Sequence, residues 1–146
     1  MWSSNIFLWY GLLLSVLVIG GVQDWRTGEV SNWISVPLFS MGAIAPILRL
    51  FLLDNMSVNI LSLFVMGVIT YAAIKGWMGG ADWKVLVGLF GVWPLAGFAA
   101  LVVAGAWGGI LILKTGDRNK RFPGVTAFAF AACLTYILMF SIIPFA

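Results

Sequence analysis

The chain has 146 residues, of which 62% are hydrophobic and 9% charged, with eight Lys plus Arg, five Asp plus Glu, no His and one Cys. Because soluble domains carry about 25% charged residues, this composition excludes a soluble globule and predicts an integral membrane protein. The lack of His excludes Ser-His-Asp and Cys-His triads and His-ligated metal sites, and a single Cys excludes a disulfide framework.

Five uncharged runs divide the chain, at residues 1–23, 30–48, 55–74, 85–113 and 122–146. A spanning helix needs about 20 mostly apolar residues, so four of the runs each predict one transmembrane helix. The first run lacks a basic start and is long, which predicts a first span rather than a cleaved signal peptide. The alternating pattern of a membrane β-barrel is absent, and the chain is predicted to be a single all-α membrane domain over residues 1–146.

The run at 85–113 is long for one span and short for two. Trp93-Pro94 lies near its middle, and proline is a break signal. Two helices of about 15 residues each would give six spans. Both termini would then lie outside, and all but Arg49 of the basic residues would face the cytoplasm, as positively charged loops do. These residues are Arg26, Lys75, Lys84, Lys114, Arg118, Lys120 and Arg121. A single helix would weaken this bias, so six spans are predicted.

Three of the five acids have ordinary loop explanations. Asp54 lies in a short turn between the second and third helices, as a solvated residue or an N-cap. Asp117 lies in a turn among basic residues. Glu29 follows Gly28 in the first loop, where it is either a solvated acid or a helper near a site.

Asp24 and Asp82 differ from these three acids. On the six-span prediction, Asp24 ends the first helix and Asp82 begins the fourth, and both lie on the cytoplasmic side. A carboxylate at membrane depth is costly and indicates function. Three small residues precede Asp82, namely Gly79, Gly80 and Ala81, and small residues permit close approach of another chain. The alternative is that each acid is only an interfacial charge beside a basic partner, Arg26 or Lys84.

Two carboxylates at one membrane depth suggest aspartic-protease chemistry, which needs no metal, thiol or imidazole. The mechanism requires a close pair of acids sharing one proton. The two positions are far apart in sequence, so their proximity is a hypothesis about the fold.

Three segments of the chain resemble a known family. Gly79-Gly80-Ala81-Asp82-x-Lys84 resembles the Gly-x-Gly-Asp-x-Lys signature of the type IV prepilin peptidases and preflagellin (prearchaellin) peptidases. Asp24-x-Arg26-x-x-x-Val30-x-Asn32 resembles the first motif of that family, and Arg121-Phe122-Pro123-Gly124 is similar to the stretch before its final span. The resemblance covers essentially the whole chain.

The resemblance implies a six-helix intramembrane aspartyl protease of the cytoplasmic (inner) membrane. It would remove basic leaders from prepilin-like or archaellin-like precursors at the cytoplasmic face, with Asp24 and Asp82 as catalytic acids. Residues expected to bind substrate or shape the site are Arg26, Glu29, Asn32, Gly79, Gly80, Ala81, Lys84 and Pro123.

Two departures from the family pattern matter. Ala81 replaces the second Gly of the signature, and the backbone would be strained there if it required Gly. The chain also lacks the Cys-x-x-Cys insertion of many bacterial members, so we expect no zinc and no cofactor, and N-methylation of the product is left open.

The expected partners are the precursor substrate and membrane lipid, with no nucleic acid, and the oligomeric state is left open. Glu29 and Asp117 are candidates for positioning a basic leader. The basic loop 114–121 is expected to anchor to anionic headgroups. Two other functions remain as alternatives, namely a small transporter or channel subunit and a noncatalytic assembly protein of the same fold.

Overall fold

The computed structural model describes residues 2–52, 56–116 and 122–142. These residues form six helices and no strand, which confirms the predicted all-α architecture over the described ranges. The helices are α1 (Trp2–Thr27), α2 (Asn32–Phe51), α3 (Met56–Ile74), α4 (Gly80–Val92), α5 (Pro94–Thr115) and α6 (Gly124–Ile142). Four of them, α1, α2, α3 and α5, are long and apolar enough to cross a membrane, as expected of a multi-pass membrane protein.

The predicted break in the 85–113 run lies between α4 and α5. Trp93 leaves helical geometry, with φ −139° and ψ 80°, and Pro94 begins α5. Proline suits that position because the first residues of a helix have no intrahelical use for their N–H groups. The expectation of two helices of about 15 residues was wrong, since α4 has 13 residues and α5 has 22. Helix α5 continues until Gly116, whose φ of 66° ends it.

The most extensive helix contact joins α2 to α4, whereas α1 packs against α6 and barely touches α2. Glycines make the α2–α4 contact close. A Cβ on Gly88 would lie 2.7 Å from the carbonyl oxygen of Leu38, and a Cβ on Gly42 or Gly91 would collide with the facing backbone. Small residues of this kind let helix backbones approach within a membrane.

The helix termini gather at two ends of the bundle. At one end, which we call the acid end, α1 and α3 finish, α2, α4 and α6 begin, and Asp24 and Asp82 both lie. At the opposite end the Arg49 guanidinium donates two 2.9 Å hydrogen bonds, to the carbonyl oxygens of Gly91 and Val92. These bonds satisfy carbonyls that the end of α4 leaves without an intrahelical partner.

The described basic residues follow the same division. Arg26, Lys75, Lys84 and Lys114 lie at helix ends on the side of the acid end, and Arg49 lies at the other. Asp54 and Asp117 lie outside the described residues, as does all of the 114–121 loop beyond Gly116.

Candidate active site

Asp24 lies in the last turn of α1 and is only 7% exposed. Its carboxylate faces the first turn of α6, where the Thr126 amide N–H donates to Oδ2 at 3.3 Å. The Thr126 hydroxyl donates to the Gly21 carbonyl oxygen at 2.8 Å and lies 3.5 Å from the same Oδ2. These contacts hold the Asp24 carboxylate against the first turn of α6.

The loop after Asp24 is folded by local hydrogen bonds. Gly28 has a φ of 67°, which suits glycine, and its N–H donates to the Asp24 carbonyl oxygen at 2.7 Å, closing α1. The Gln23 side chain then holds Ser31 through a 2.6 Å bond to the hydroxyl and a 3.3 Å bond from the backbone N–H. These contacts turn the chain back so that α2 begins at Asn32.

Asp82 lies in the first turn of α4, after Gly79 in an extended conformation at the N-cap. Its carboxylate lies between two glycines. A Cβ on Gly79 would be 3.0 Å from Oδ2, and a Cβ on Gly124, at the start of α6, would be 2.5 Å from Oδ1. Gly124 is therefore the point at which α6 meets Asp82.

Ala81 takes up a helical position in α4 and packs against the core. The expected strain at this departure from the family signature does not arise, because a helical backbone does not require glycine. A Cβ on the neighbouring Gly80 would meet open space.

Lys84 and Asn32, one from each predicted motif, are in direct contact. The Lys84 ammonium Nζ donates to the Asn32 Oδ1 at 3.1 Å, which ties the start of α4 to the start of α2. Arg26, in the last turn of α1, and Glu29, in the loop that follows, are both exposed. The Glu29 backbone N–H donates to the Thr27 hydroxyl at 3.2 Å, so its loop is held in place.

Each acid opens onto its own concavity. The Asp24 depression, of about 320 Å³, is lined by Asp24, Trp25, Arg26, Thr27, Gly28 and Pro123. The Asp82 groove, of about 430 Å³, lies between α4, α5 and α6, and its lining includes Asp82, Gly79, Gly105, Phe122, Gly124 and Phe128. The two share no lining residue, and the chain at 122–124, which we call the α6 ridge, contributes to both.

The structure thus brings the two predicted acids against one short segment, with Asp24 at Thr126 and Asp82 at Gly124. Sequence analysis missed Thr126, and it quoted Gly124 without assigning it a role. A hydroxyl residue three positions after Pro123, in the otherwise apolar first turns of a helix, is the signal that points to Thr126.

The fold and the site together define a multi-pass helical membrane protein with two acids at one end of its bundle. In comparisons with known proteins, the model of the type IV leader peptidase family matches residues 11–141. The chain therefore belongs to the type IV leader peptidase family, as the motifs predicted, and membership implies peptidase activity on precursor proteins. No curated protein and no solved structure matched the chain.

Proposed function

We propose that this peptidase is an aspartic endopeptidase that removes the basic leader from prepilin-like or archaellin-like precursors at the cytoplasmic face of the membrane. The observation that carries the proposal is the placement of Asp24 and Asp82 against the first turn of α6. Family membership supports the peptidase class. No cofactor is part of the proposal, because two carboxylates suffice for the chemistry.

In the proposed mechanism one carboxylate is ionised and the other is protonated. The ionised acid removes a proton from a water molecule, whose oxygen attacks the scissile carbonyl carbon. The protonated acid donates a hydrogen bond to the carbonyl oxygen and then a proton to the amine that leaves when the C–N bond breaks. The mechanism needs one proton shared between two acids, so neither role is assigned to a single residue.

The neighbouring residues have positioning roles in this proposal. Gly79 and Gly124 leave room for the Asp82 carboxylate, Thr126 holds Asp24, and the Lys84–Asn32 hydrogen bond fixes α4 against α2. Gly80 and Ala81 keep the approach to Asp82 unobstructed. Pro123, Arg26 and Glu29 lie on the Asp24 side, where the leader would be bound.

The cytoplasmic orientation is supported by charge. Four of the five described basic residues lie on the side of the acid end, and positive residues collect on the cytoplasmic side of membrane proteins. The described charged residues lie near helix ends rather than at the middle of the bundle, which does not favour the transporter alternative.

Co-expression with a prepilin-like precursor tests the proposal, with cleavage measured as a gel shift. Asp24→Asn and Asp82→Asn each keep the shape of the side chain but remove its charge and its proton chemistry. Each is expected to abolish cleavage while the protein still accumulates in the membrane and elutes as a single species in detergent. Asp54→Asn is the control acid and should cleave like the wild type. Persistent cleavage in either Asp24→Asn or Asp82→Asn would contradict the two-acid mechanism.

A further inference from the structure

The two concavities beside the α6 ridge differ in polarity. Apart from Trp25 and Pro123, the Asp24 depression is lined by polar or charged residues and the backbone of Gly28. Apart from Asp82, the lining of the Asp82 groove is apolar or glycine, and includes Leu86, Leu101, Ala104 and Phe128. A segment bound across the ridge would thus meet the more polar surface on the Asp24 side and the more apolar surface on the Asp82 side.

Helix α5 continues past the last turn of α1 and the start of α6, and so extends the apolar wall of the Asp82 groove. Trp107 lies level with the acid end, because its ring contacts Trp25 at 6.4 Å and Phe122 at 6.3 Å between centroids. The eight residues that follow, 108–115, continue α5 for about 12 Å at the usual helical rise. We call this segment the α5 overhang.

The α5 overhang is apolar from Gly108 to Leu113 and is uncovered on the face that continues the groove wall. A Cβ on Gly105, in the groove, or on Gly108 or Gly109, in the overhang, would meet no atom within 4 Å. Leu113 is 86% exposed. An exposed apolar face of this kind marks a surface that contacts lipid or another chain, and glycines allow a second helix to approach closely.

We propose that the precursor lies across the α6 ridge in one direction only, with its charged leader in the Asp24 depression and its apolar segment in the Asp82 groove. This inference rests on the proposed function, since it takes the precursor as the occupant. The residues before and after the scissile bond leave the acids in opposite directions. The polarity of the two surfaces decides which of these segments lies in the Asp24 depression and which lies in the Asp82 groove. The apolar segment packs on Gly105 and follows the groove wall formed by Leu101, Ala104 and Phe128 into the bundle.

Filling the groove tests the position of the apolar segment. Gly105→Leu places a side chain where the segment would pack, and we expect KM for the precursor to rise about tenfold or more with kcat less affected. Gly67→Leu is the matched control, because Gly67 is a helical glycine on α3 that also faces open space. Unchanged kinetics in Gly105→Leu would mean that the groove holds lipid instead, and would overturn the proposal.

Disulfide crosslinking tests the direction and does not depend on cleavage. The background is Cys133→Ala with Asp82→Asn, which removes the chain's single thiol and traps the precursor uncut. Gly105→Cys should crosslink to a cysteine in the apolar segment of the precursor, and Arg26→Cys to one in its leader.

The reverse pattern, or no crosslink at Gly105→Cys, would overturn the inferred direction. The expected crosslinks with a wild-type enzyme that cleaves no precursor would instead refute the proposed function and leave the binding geometry standing. The two failures are therefore distinguishable.

Discussion

Gly124 is the residue whose lack of a side chain bears most directly on Asp82. In Gly124→Ala the new methyl group would lie 2.5 Å from the Asp82 Oδ1 and 2.7 Å from its Cγ. The carboxylate is the end of a rotatable side chain, so it would turn away rather than force the helices apart. We expect cleavage to fall at least tenfold with little change in thermal unfolding, a separation measured by a cleavage assay and a melting curve on one preparation.

Gly67→Ala serves as the control for Gly124→Ala, because its methyl group meets no atom within 4 Å. Full activity in Gly124→Ala would show that the orientation of Asp82 does not limit catalysis. A large loss of thermal stability would show instead that Gly124 matters for helix packing.

Thr126 links α6 to α1 through its hydroxyl, which donates to the Gly21 carbonyl oxygen at 2.8 Å. Thr126→Val keeps the shape and removes the donor, so we expect a loss of about 1 kcal/mol in the free energy of unfolding and reduced cleavage. The amide N–H that reaches Asp24 is retained, so activity should be reduced rather than abolished. Thr126→Ser should restore both quantities, and a serine variant as defective as the valine variant would contradict the hydrogen-bond explanation.

The acids were predictable from the sequence, but their environment was not. Asp24 and Asp82 stand out because charged residues are scarce in the chain and each lies at the end of an apolar run. Thr126 is 102 residues from Asp24, and no local pattern shows that these two positions meet. The same holds for Gly124, whose significance is the space it leaves for a residue on another helix.

At the scale of helices, the contact between α2 and α4 depends on glycine at three positions. In Gly88→Ala the Cβ would lie 2.7 Å from the Leu38 carbonyl oxygen, and backbone atoms cannot turn away as a side chain does. Overpacking of this kind costs about 1–3 kcal/mol, so we expect the unfolding midpoint in detergent to fall. Gly67→Ala should leave the midpoint unchanged or raise it, since alanine favours helices. Equal midpoints for Gly88→Ala and the wild type would contradict the close α2–α4 packing.

The division between α4 and α5 shows why helix lengths were harder to predict than helix number. Trp93-Pro94 marks the break directly, because proline lacks the N–H that a continuous helix would use. Apolar residues continue on both sides, however, and hydropathy alone does not separate residues in the bundle from those that extend past it. Only the contacts of Trp107 with Trp25 and Phe122 show that residues 108–115 project beyond the acid end.

At the scale of the whole molecule, α4 and α5 have unequal lengths, and this difference decides how far each helix reaches along the bundle. Helix α4 has 13 residues, about 20 Å at the usual rise, which is shorter than the roughly 30 Å of membrane hydrocarbon. Its far end is met inside the bundle by the Arg49 guanidinium and by Tyr10, which stacks on Trp93 at 4.5 Å. Helix α4 starts level with α2 and α6 at the acid end, so the longer α5 that runs back beside it continues past that end as the α5 overhang.

The orientation of this bundle can be tested with paired reporter fusions. Helices α5 and α6 run in opposite directions, α5 toward the acid end and α6 away from it. If the acid end faces the cytoplasm, a reporter fused after Gly116 should be cytoplasmic, whereas one fused after Ala146 should be outside. Alkaline phosphatase, active only outside, and green fluorescent protein, fluorescent only inside, should give opposite signals at the two sites. The same signal at both sites would contradict the six-span arrangement, and an exact reversal would place the acids on the outer face, away from a cytoplasmic leader.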